Sequence, residues 1–263
     1  MAQSRTKDMT QGPILPLIVK FSLPLLMGNL FQQTYNLVDT AIVGQTLGAK
    51  ALAAVGSSTS IQFLVMGFCI GMSLGFSIPV GQRFGAKDYS GMHRYEYAGG
   101  ILAALFAALV TLLTTVFCNH ILHLLQVPEE IFHDAWVYLI IIFCEIPFTV
   151  MYNYLAGLMR AIGDSKTPFI YLAVASILNI GLDFLFIVNV GMGVAGAALA
   201  TVLSQALSAL LCLYAVARRY DVLHIEEEAR HYDFLEGRDL MGIGIPMGLQ
   251  YSITAIGSMV MQS

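Results

Sequence analysis

The chain has 263 residues, of which 57% are hydrophobic and only 11% are charged, with a mean hydropathy of +0.73. Soluble domains carry roughly 25% charged residues, so this composition excludes an ordinary soluble enzyme. Three stretches without any charged residue, 51–82, 97–128 and 184–217, are each longer than the ~20 apolar residues that a helix needs to cross a bilayer. The sequence therefore predicts an all-α polytopic membrane protein. It carries no basic nucleic-acid-binding motif, which disfavours nucleic acid as a partner.

Seven apolar segments follow in chain order and are predicted to span the lipid bilayer: 14–43, 51–81, 95–119, 133–158, 167–189, 194–217 and 240–263. The first six form an N-terminal lobe over residues 1–219, and the stretch 220–239 is a cytoplasmic linker whose acidic run, Glu226 to Glu228, is expected to be a solvated helix face. Residues 240–263 begin a second lobe, because Pro246 repeats the position of Pro24 near the cytoplasmic end of its segment. We expect the chain to be a fragment that holds a six-helix lobe and the first helix of another.

The basic residues predict the orientation of these segments. Twelve of the thirteen Lys and Arg residues fall in the N-terminal tail, at the start of the first segment or in alternate connections, and only Lys50 lies on the opposite side. The twelve are Arg5, Lys7, Lys20, Arg83, Lys87, Arg94, Arg160, Lys166, Arg218, Arg219, Arg230 and Arg238. Because cytoplasmic loops are enriched in Lys and Arg, the N terminus is predicted to lie in the cytoplasm and the protein in the inner (cytoplasmic) membrane.

Three acidic residues lie inside predicted spans and away from the terminal residues of those spans: Asp39, Glu145 and Asp183. An ionisable residue in a membrane helix is costly, which favours a functional role. Asp39 lies 19 residues beyond Lys20, and Asp183 lies 17 residues beyond Lys166. At about 1.5 Å per residue, both carboxylates sit roughly 25–28 Å from the cytoplasmic boundary. Thr201, on the following helix, reaches the same depth, so we expect these three side chains to share one level of the membrane.

Together with polar neighbours, the side chains at this depth form a candidate cation site. Asn179 and Asp183 share a helix face, since they are four residues apart. Carboxylate, amide and hydroxyl oxygens are ligands for a hard cation such as Na⁺, whereas two close carboxylates also suit a proton. The sequence leaves open whether the ion is Na⁺ or H⁺, and whether the neutral side chains only join helices by hydrogen bonds. The predicted site residues are Asp39, Asn179, Asp183 and Thr201.

A second set of residues is predicted to line a substrate cavity: Gln32, Tyr35, Asn36, Met66, Glu145 and Asn153. Glu145 has three open interpretations, since it joins the polar cluster, faces an aqueous cavity or contacts a partner helix. No catalytic constellation and no cofactor motif occurs. The four cysteines lie in apolar stretches without a CxxC pattern, so they are predicted to be small buried hydrophobic residues.

Six runs of the sequence carry a family resemblance: LFQQTYNLVDTAIVG (30–44), LAAVG (52–56), QRFGAKD (82–88), YNYLAG (152–157), RAIGDSKTP (160–168) and NIGLD (179–183). Together they resemble the multidrug and toxic compound extrusion (MATE) transporters, and most closely the DinF-like branch. The resemblance covers almost the whole chain.

The resemblance implies a monomeric secondary antiporter of two six-helix lobes that exports organic, often cationic compounds in exchange for Na⁺ or H⁺. It implies that Asp39 is the coupling acid and that Pro24 is the point at which the first helix bends. The residues that complete the family's cation site would be Asn179, Asp183 and Thr201. Glu145 departs from the small or apolar residue expected there, which leaves open a changed substrate preference or an additional titrating group.

Two alternative functions compete with export. A flippase for a lipid-linked substrate belongs to the same superfamily, but it would call for a more cationic cavity. An intramembrane aspartyl protease would use Asp39 and Asp183, but the sequence lacks a GxGD pattern within a membrane segment. The prediction is therefore a transporter and not an enzyme.

Overall fold

The computed structural model describes residues 13–225 and 227–262, so Arg5 and Lys7 of the predicted orientation signal lie outside the described residues. This part of the chain is helical and contains no β-strand, which confirms the predicted all-α class. The helices are α1 (Ile14–Gly85), α2 (Tyr89–Leu124), α3 (Glu129–Phe143), α4 (Ile146–Ala161), α5 (Lys166–Asp183), α6 (Val194–Arg219) and α7 (Phe234–Gln262). Shorter elements are a π-helix at Phe184–Asn189 and 3₁₀ turns at Asp221–Leu223 and Glu227–Ala229.

Helix α1 crosses the membrane region twice because it turns sharply at Gly48. Its 72 residues would extend about 108 Å as one rod, far more than the ~30 Å hydrocarbon core. Gly48 has φ +83° and ψ −174°, a conformation that residues with a side chain rarely adopt. Across the turn, a Cβ on Gly44 would lie 3.5 Å from Leu52. We call residues 14–47 the first arm of α1 and residues 49–85 its second arm.

Five helical stretches in the described residues are long and apolar enough to cross a membrane: Ile14–Gly85, Tyr89–Leu124, Glu129–Ala161, Lys166–Asn189 and Val194–Arg219. With the two arms of α1 they provide six crossings, which correspond to the first six predicted segments. The polytopic membrane class is therefore confirmed. Within the described residues, α7 does not meet the same requirement, so its role as a seventh span and the division into lobes stay predictions.

The fourth crossing is interrupted in its middle. Helix α3 ends at Phe143 and α4 begins at Ile146, with a tight turn in which the Glu145 N–H donates to the Ile142 carbonyl (3.0 Å). Pro147 has no N–H with which to continue the helical ladder. Cys144 is exposed at this break, so its predicted burial was wrong, because the interrupted turn leaves it outside the packed interface. The other cysteines are buried as predicted: Cys69, Cys118 and Cys212.

The core lies where the second arm of α1, α2, α3, α4 and α6 meet. Small residues allow close approach there, since a Cβ on Gly157 would lie 2.6 Å from Ser77 Oγ and one on Gly99 would lie 2.8 Å from the Tyr154 hydroxyl. That hydroxyl donates to the Glu96 carbonyl (2.6 Å). Such contacts between small residues are typical of membrane helix bundles and fix α4 against α1 and α2.

Helix α7 packs along the second arm of α1. A Cβ on Gly75 would lie 2.7 Å from the Gly244 Cα, and one on Gly71 would lie 2.7 Å from the Gly248 Cα. One turn further along α7, the Ser252 hydroxyl donates to a carbonyl of the second arm (3.0 Å). The two helices therefore meet backbone to backbone.

The beginning of α7 differs from the predicted linker. Helix α7 begins at Phe234, earlier than the expected start at residue 240. Glu236 is only 7% exposed and pairs with Arg94 of α2 (3.4 Å), and the Tyr95 hydroxyl donates to Asp239 (3.2 Å). The last part of the 220–239 stretch is thus helical and contacts α2, and its role as a linker between lobes stays a prediction.

Candidate cation-binding site

The centre of the site is a pair of carboxyl groups from two different helices. Asp39 lies on the first arm of α1, and Asp183, which is fully buried, is the last residue of α5. Their carboxyl groups are close enough to share a hydrogen bond. Ionised carboxylates are acceptors only, and within the described residues Asp39 Oδ1 and both Asp183 oxygens find no donor. A proton or a metal cation shared between them would satisfy the pair.

Neutral oxygens lie next to this pair. Asn179 is 1% exposed and precedes Asp183 by one turn of α5. Its Nδ2 lies 3.5 Å from Thr201 Oγ1 on α6, at the long limit of a hydrogen bond, and Thr201 itself donates to the Ala197 carbonyl (3.1 Å). The Asn179 Oδ1 has no donor among the described residues. This arrangement leaves one amide oxygen and one hydroxyl oxygen available to a cation.

A small cavity connects these groups to the first arm of α1. Its volume of about 10 Å³ is roughly what one water molecule or ion requires. It is lined by Tyr35, Leu172, Ala175, Ser176, Asn179, Thr201, Ser204 and Gln205. The cavity therefore joins a residue of the predicted substrate lining, Tyr35, to two residues of the predicted cation site.

The backbone changes its geometry immediately after Asp183. The segment Phe184–Asn189 is a π-helix, and the Val190 N–H donates to the Leu185 carbonyl (2.9 Å). It is followed by Gly191 and Gly193, both with positive φ. π-Helical turns are rare and occur frequently at functional sites. Sequence reasoning missed this element, because nothing in an uninterrupted apolar run distinguishes a π-helix from an α-helix.

Glu145 lies close to the same cluster. Its side chain is buried, with the residue 8% exposed, and Oε1 accepts a hydrogen bond from the Thr149 hydroxyl (2.9 Å). Glu145 lies within electrostatic range of the Tyr35 and Tyr138 hydroxyls, and both of these tyrosines also lie within range of Asp39. Its proximity to groups that also lie near Asp39 is in line with membership of the polar cluster, which stays a prediction.

The remaining residues of the predicted cavity lining differ in how closely they are joined to the polar cluster. The Gln32 side chain lies near the Tyr35 hydroxyl, and Met66 packs against buried hydrophobic residues of the core. Asn153 donates to the Thr149 carbonyl (2.8 Å) of its own helix, so its amide nitrogen is already used. Among the described residues, no side-chain hydrogen bond joins Asn36 to the others.

Sequence reasoning missed three side chains of the cluster. Tyr138 is buried and its hydroxyl lies near the Gln62 side chain of the second arm, and the Thr149 hydroxyl donates to Glu145. A helical spacing signal was present, because Tyr138 and Thr149 lie seven residues before and four residues after Glu145. Gln62 carried no comparable signal beyond being an amide in an uncharged stretch.

Pro24 lies inside the first arm without interrupting it, since Gly48 is the residue of α1 at which the helical φ/ψ is lost. The proline has no N–H for the Lys20 carbonyl, which weakens the helical ladder at this turn. The Ser165 hydroxyl donates to the neighbouring Phe21 carbonyl (2.9 Å) and ties the arm to the turn between α4 and α5. Bending at Pro24 stays a prediction.

Comparison with known proteins shows the family to which this chain belongs. A family model described as MatE matches residues 24–185, which is more than half of the chain. The chain belongs to the MatE family. Members of the MatE family are membrane transporters and not enzymes, which confirms both the predicted family and the predicted absence of enzymatic function.

Several MatE relatives cover nearly all of this chain. The probable multidrug resistance protein YpnP of Bacillus subtilis (strain 168) is 35% identical over 97% of this chain and 57% of its own length. The multidrug export protein MepA of Staphylococcus aureus (strain NCTC 8325 / PS 47) is 26% identical over 95% and 56%. A solved MOP superfamily transporter from Pyrococcus furiosus superposes with a TM-score of 0.88 at 26% identity, covering 95% and 55%. This MatE chain thus spans little more than half the length of these relatives.

Proposed function

We propose that this MatE chain provides one lobe of a secondary antiporter in the cytoplasmic membrane. The antiporter exports organic, often cationic compounds in exchange for Na⁺ or H⁺. The observation that carries this proposal is the pair of Asp39 and Asp183 inside a membrane lobe, where no described Lys or Arg side chain pairs with either acid. The relatives named as multidrug resistance and export proteins support the substrate class.

The geometry supports coupling without covalent chemistry. A cation bound between Asp39 and Asp183 holds the first arm of α1 against α5, so it favours one arrangement of these helices over others. Antiport requires only that the ion and the substrate bind the two conformations of the transporter with different affinities. If the ion is Na⁺, the oxygens of Asn179 and Thr201 complete its ligand set, whereas a proton needs only the two carboxylates.

Charge disfavours the flippase alternative. The cluster contains three carboxylates, those of Asp39, Glu145 and Asp183, and its other members are tyrosines, amides and hydroxyls. An anionic lipid-linked substrate would be repelled by this set, whereas an organic cation would be attracted. A cytoplasmic N terminus, supported by the one-sided distribution of Lys and Arg, and a monomeric state complete the proposal.

The proposal is tested with the full-length protein reconstituted in vesicles. Movement of a fluorescent organic cation is followed under an imposed Na⁺ or pH gradient for the wild type, Asp39→Asn and a control, Asp134→Asn. Asp134 is an exposed acid of α3 and serves as a matched carboxylate-to-amide change. We expect gradient-driven movement in the wild type and in the control, and its loss in Asp39→Asn. The proposal would be overturned if the folded wild type moved the organic cation at the same rate with and without either gradient.

A further inference from the structure

Exposed apolar side chains form a stripe on the outer surface of each of two neighbouring helices, α5 and α6. The α5 stripe consists of Ile170, Val174 and Ile177, which recur at helical spacing, and the α6 stripe consists of Leu210 and Tyr214. Helix α7 packs against α1 and α2, and within the described residues no packing of comparable extent joins it to α5 or α6. Because the two stripes are exposed on membrane helices and lie away from α7, they are suited to contact with the acyl chains of lipids.

Each stripe ends in a basic residue at the same end of the lobe. Lys166 is the first residue of α5 and precedes Ile170 by four residues. Arg218 follows Tyr214 by four residues, and Arg219 is the last residue of α6. All three basic residues are exposed, and within the described part of the chain none of them forms an ion pair with an acid. Three positive charges without an acidic partner therefore lie at the polar end of the two stripes.

Hydrogen bonds hold the end of α6 against the start of α5. Arg219 Nη1 donates to the Tyr171 hydroxyl (3.3 Å), which keeps its own hydrogen for donation to an anion. The Tyr220 hydroxyl donates to Asp164 Oδ2 (2.6 Å), and the oxygens of this acid accept further hydrogen bonds from the turn before α5. Asp221 follows on the linker with an exposed side chain. Three basic residues against these two acids leave the region with a positive net charge.

We propose that the start of α5 and the end of α6 bind the headgroup of an anionic phospholipid, whose acyl chains lie along the two stripes. Arg219 and Tyr171 donate to the phosphate oxygens, since a guanidinium presents planar donors that match a phosphate. Lys166 and Arg218 attract the negative charge from either side. A zwitterionic phospholipid binds less well, because its headgroup also carries a positive charge that these residues repel. This site is separate from the Asp39–Asp183 pair and does not depend on the coupling ion or on the exported compound.

The test is thermal unfolding of the purified full-length protein in detergent at increasing concentrations of added lipid. A lipid that binds only the folded protein raises the unfolding temperature, so the lipid concentration for half-maximal stabilisation reports its affinity. We expect dioleoylphosphatidylglycerol to stabilise the wild type at a concentration about tenfold lower than dioleoylphosphatidylcholine, which has the same acyl chains. Lys166→Gln and Arg219→Gln should each raise the half-maximal concentration of dioleoylphosphatidylglycerol about fivefold, the contribution of one basic residue near an anionic lipid.

The matched control is Lys50→Gln, which removes a positive charge at the opposite end of the lobe, where the side chain is 75% exposed. It should bind dioleoylphosphatidylglycerol as the wild type does, and inorganic phosphate alone should not stabilise the protein, because it lacks acyl chains. The inference is overturned if Lys166→Gln and Arg219→Gln keep the wild-type affinity, or if Lys50→Gln loses as much affinity as they do. Equal stabilisation of the wild type by the two lipids, or by phosphate alone, also overturns it. Export does not enter this measurement, so its outcome is independent of the proposed function.

Discussion

The carboxyl groups of Asp39 and Asp183 face each other within hydrogen-bonding distance across the interface between α1 and α5. The two acids come from helices that are far apart in the sequence, so their separation depends on how the first arm of α1 packs against α5. The helices are joined at this side of the lobe by a contact between the rings of Phe31 and Phe169 (5.8 Å between centroids). In the proposed function, a movement of the first arm would change the affinity of the pair for a shared cation and so link ion binding to helix position.

Replacement of the Thr201 hydroxyl should distinguish the two candidate ions. Thr201→Val keeps the shape of the side chain but removes an oxygen next to Asn179. If Na⁺ is the coupling ion, we expect the Na⁺ concentration for half-maximal export to rise about tenfold, as loss of one ligand implies. If H⁺ is the ion, export should stay within about twofold, because the carboxylates alone bind it.

The measurement is export by the full-length protein in vesicles at varied external Na⁺. Thr201→Ser retains the hydroxyl and should behave as the wild type. Export that depends on Na⁺ with equal half-saturation in Thr201→Val and the wild type would contradict a ligand role for Thr201.

The contact between α1 and α7 should not tolerate a single added methyl group. A Cβ at residue 75 would lie 2.7 Å from the Gly244 Cα, and a backbone atom cannot yield as a flexible side chain does. We therefore expect Gly75→Ala to destabilise the protein by about 1–3 kcal/mol, the usual cost of overpacking. Thermal unfolding of the full-length protein in detergent measures this loss.

Gly56→Ala provides the matched comparison on the same helix, since its Cβ would meet no atom within 4 Å. There the better helix propensity of Ala should stabilise the protein by up to about 1 kcal/mol. Equal unfolding temperatures for the two variants would show that the backbone contact with α7 is absent in the protein.

The turn between α4 and α5 should make stability depend on pH. Partial burial raises the pKa of Asp164, but hydrogen bonds outweigh it and lower the pKa below its usual value. The donors are the Tyr220 hydroxyl (2.6 Å), the Thr167 N–H (3.0 Å) and hydroxyl (2.7 Å), and the Lys166 N–H (2.9 Å). Because the folded pKa is the lower one, ionised Asp164 stabilises the fold above its unfolded pKa of ~3.9, and this stabilisation is lost as the pH falls toward the folded pKa.

Accordingly, Asp164→Asn should lower stability by about 1–2 kcal/mol at neutral pH, because the amide keeps only one acceptor oxygen and loses the charge that strengthens these hydrogen bonds. The difference from the wild type should narrow as the pH is lowered below about 4. Thermal unfolding in detergent across this range measures it, with Asp221→Asn, a fully exposed acid, as the control. A difference that stays constant down to the lowest pH would mean that the charge of Asp164 does not contribute.

The meeting of Asp39 and Asp183 could be expected from the sequence because a helix advances by a constant rise per residue. Counting from the basic residues at the membrane boundary placed both acids, and Thr201, at one depth. Depth does not fix rotation about the helix axis, but polar side chains in an apolar span avoid lipid, so residues at one depth tend to meet inside the bundle. The six membrane crossings could also be expected, because an uncharged stretch of about 20 or more apolar residues is long enough to cross the bilayer as a helix.

Other features depend on contacts that no local pattern reveals. The π-helix after Asp183 lies in an apolar run without any marker, and the proximity of Gln62 to Tyr138 becomes visible only when α3 is packed against α1. The start of α7 was placed too late because acidic residues suggest a solvated linker. Glu236 instead forms an ion pair with Arg94 of α2. The two residues are far apart in the sequence, so no local pattern predicts this pair.

The most direct test of the Asp39–Asp183 site is gradient-driven export by the full-length protein in vesicles, measured for the wild type, Asp39→Asn, Asp183→Asn and the double variant. If the two acids act as one site, each single substitution should abolish the gradient-driven component, and the double variant should lose nothing further. Gradient-driven export that survives in either single variant at the wild-type rate, with the protein correctly folded, would contradict a shared coupling site.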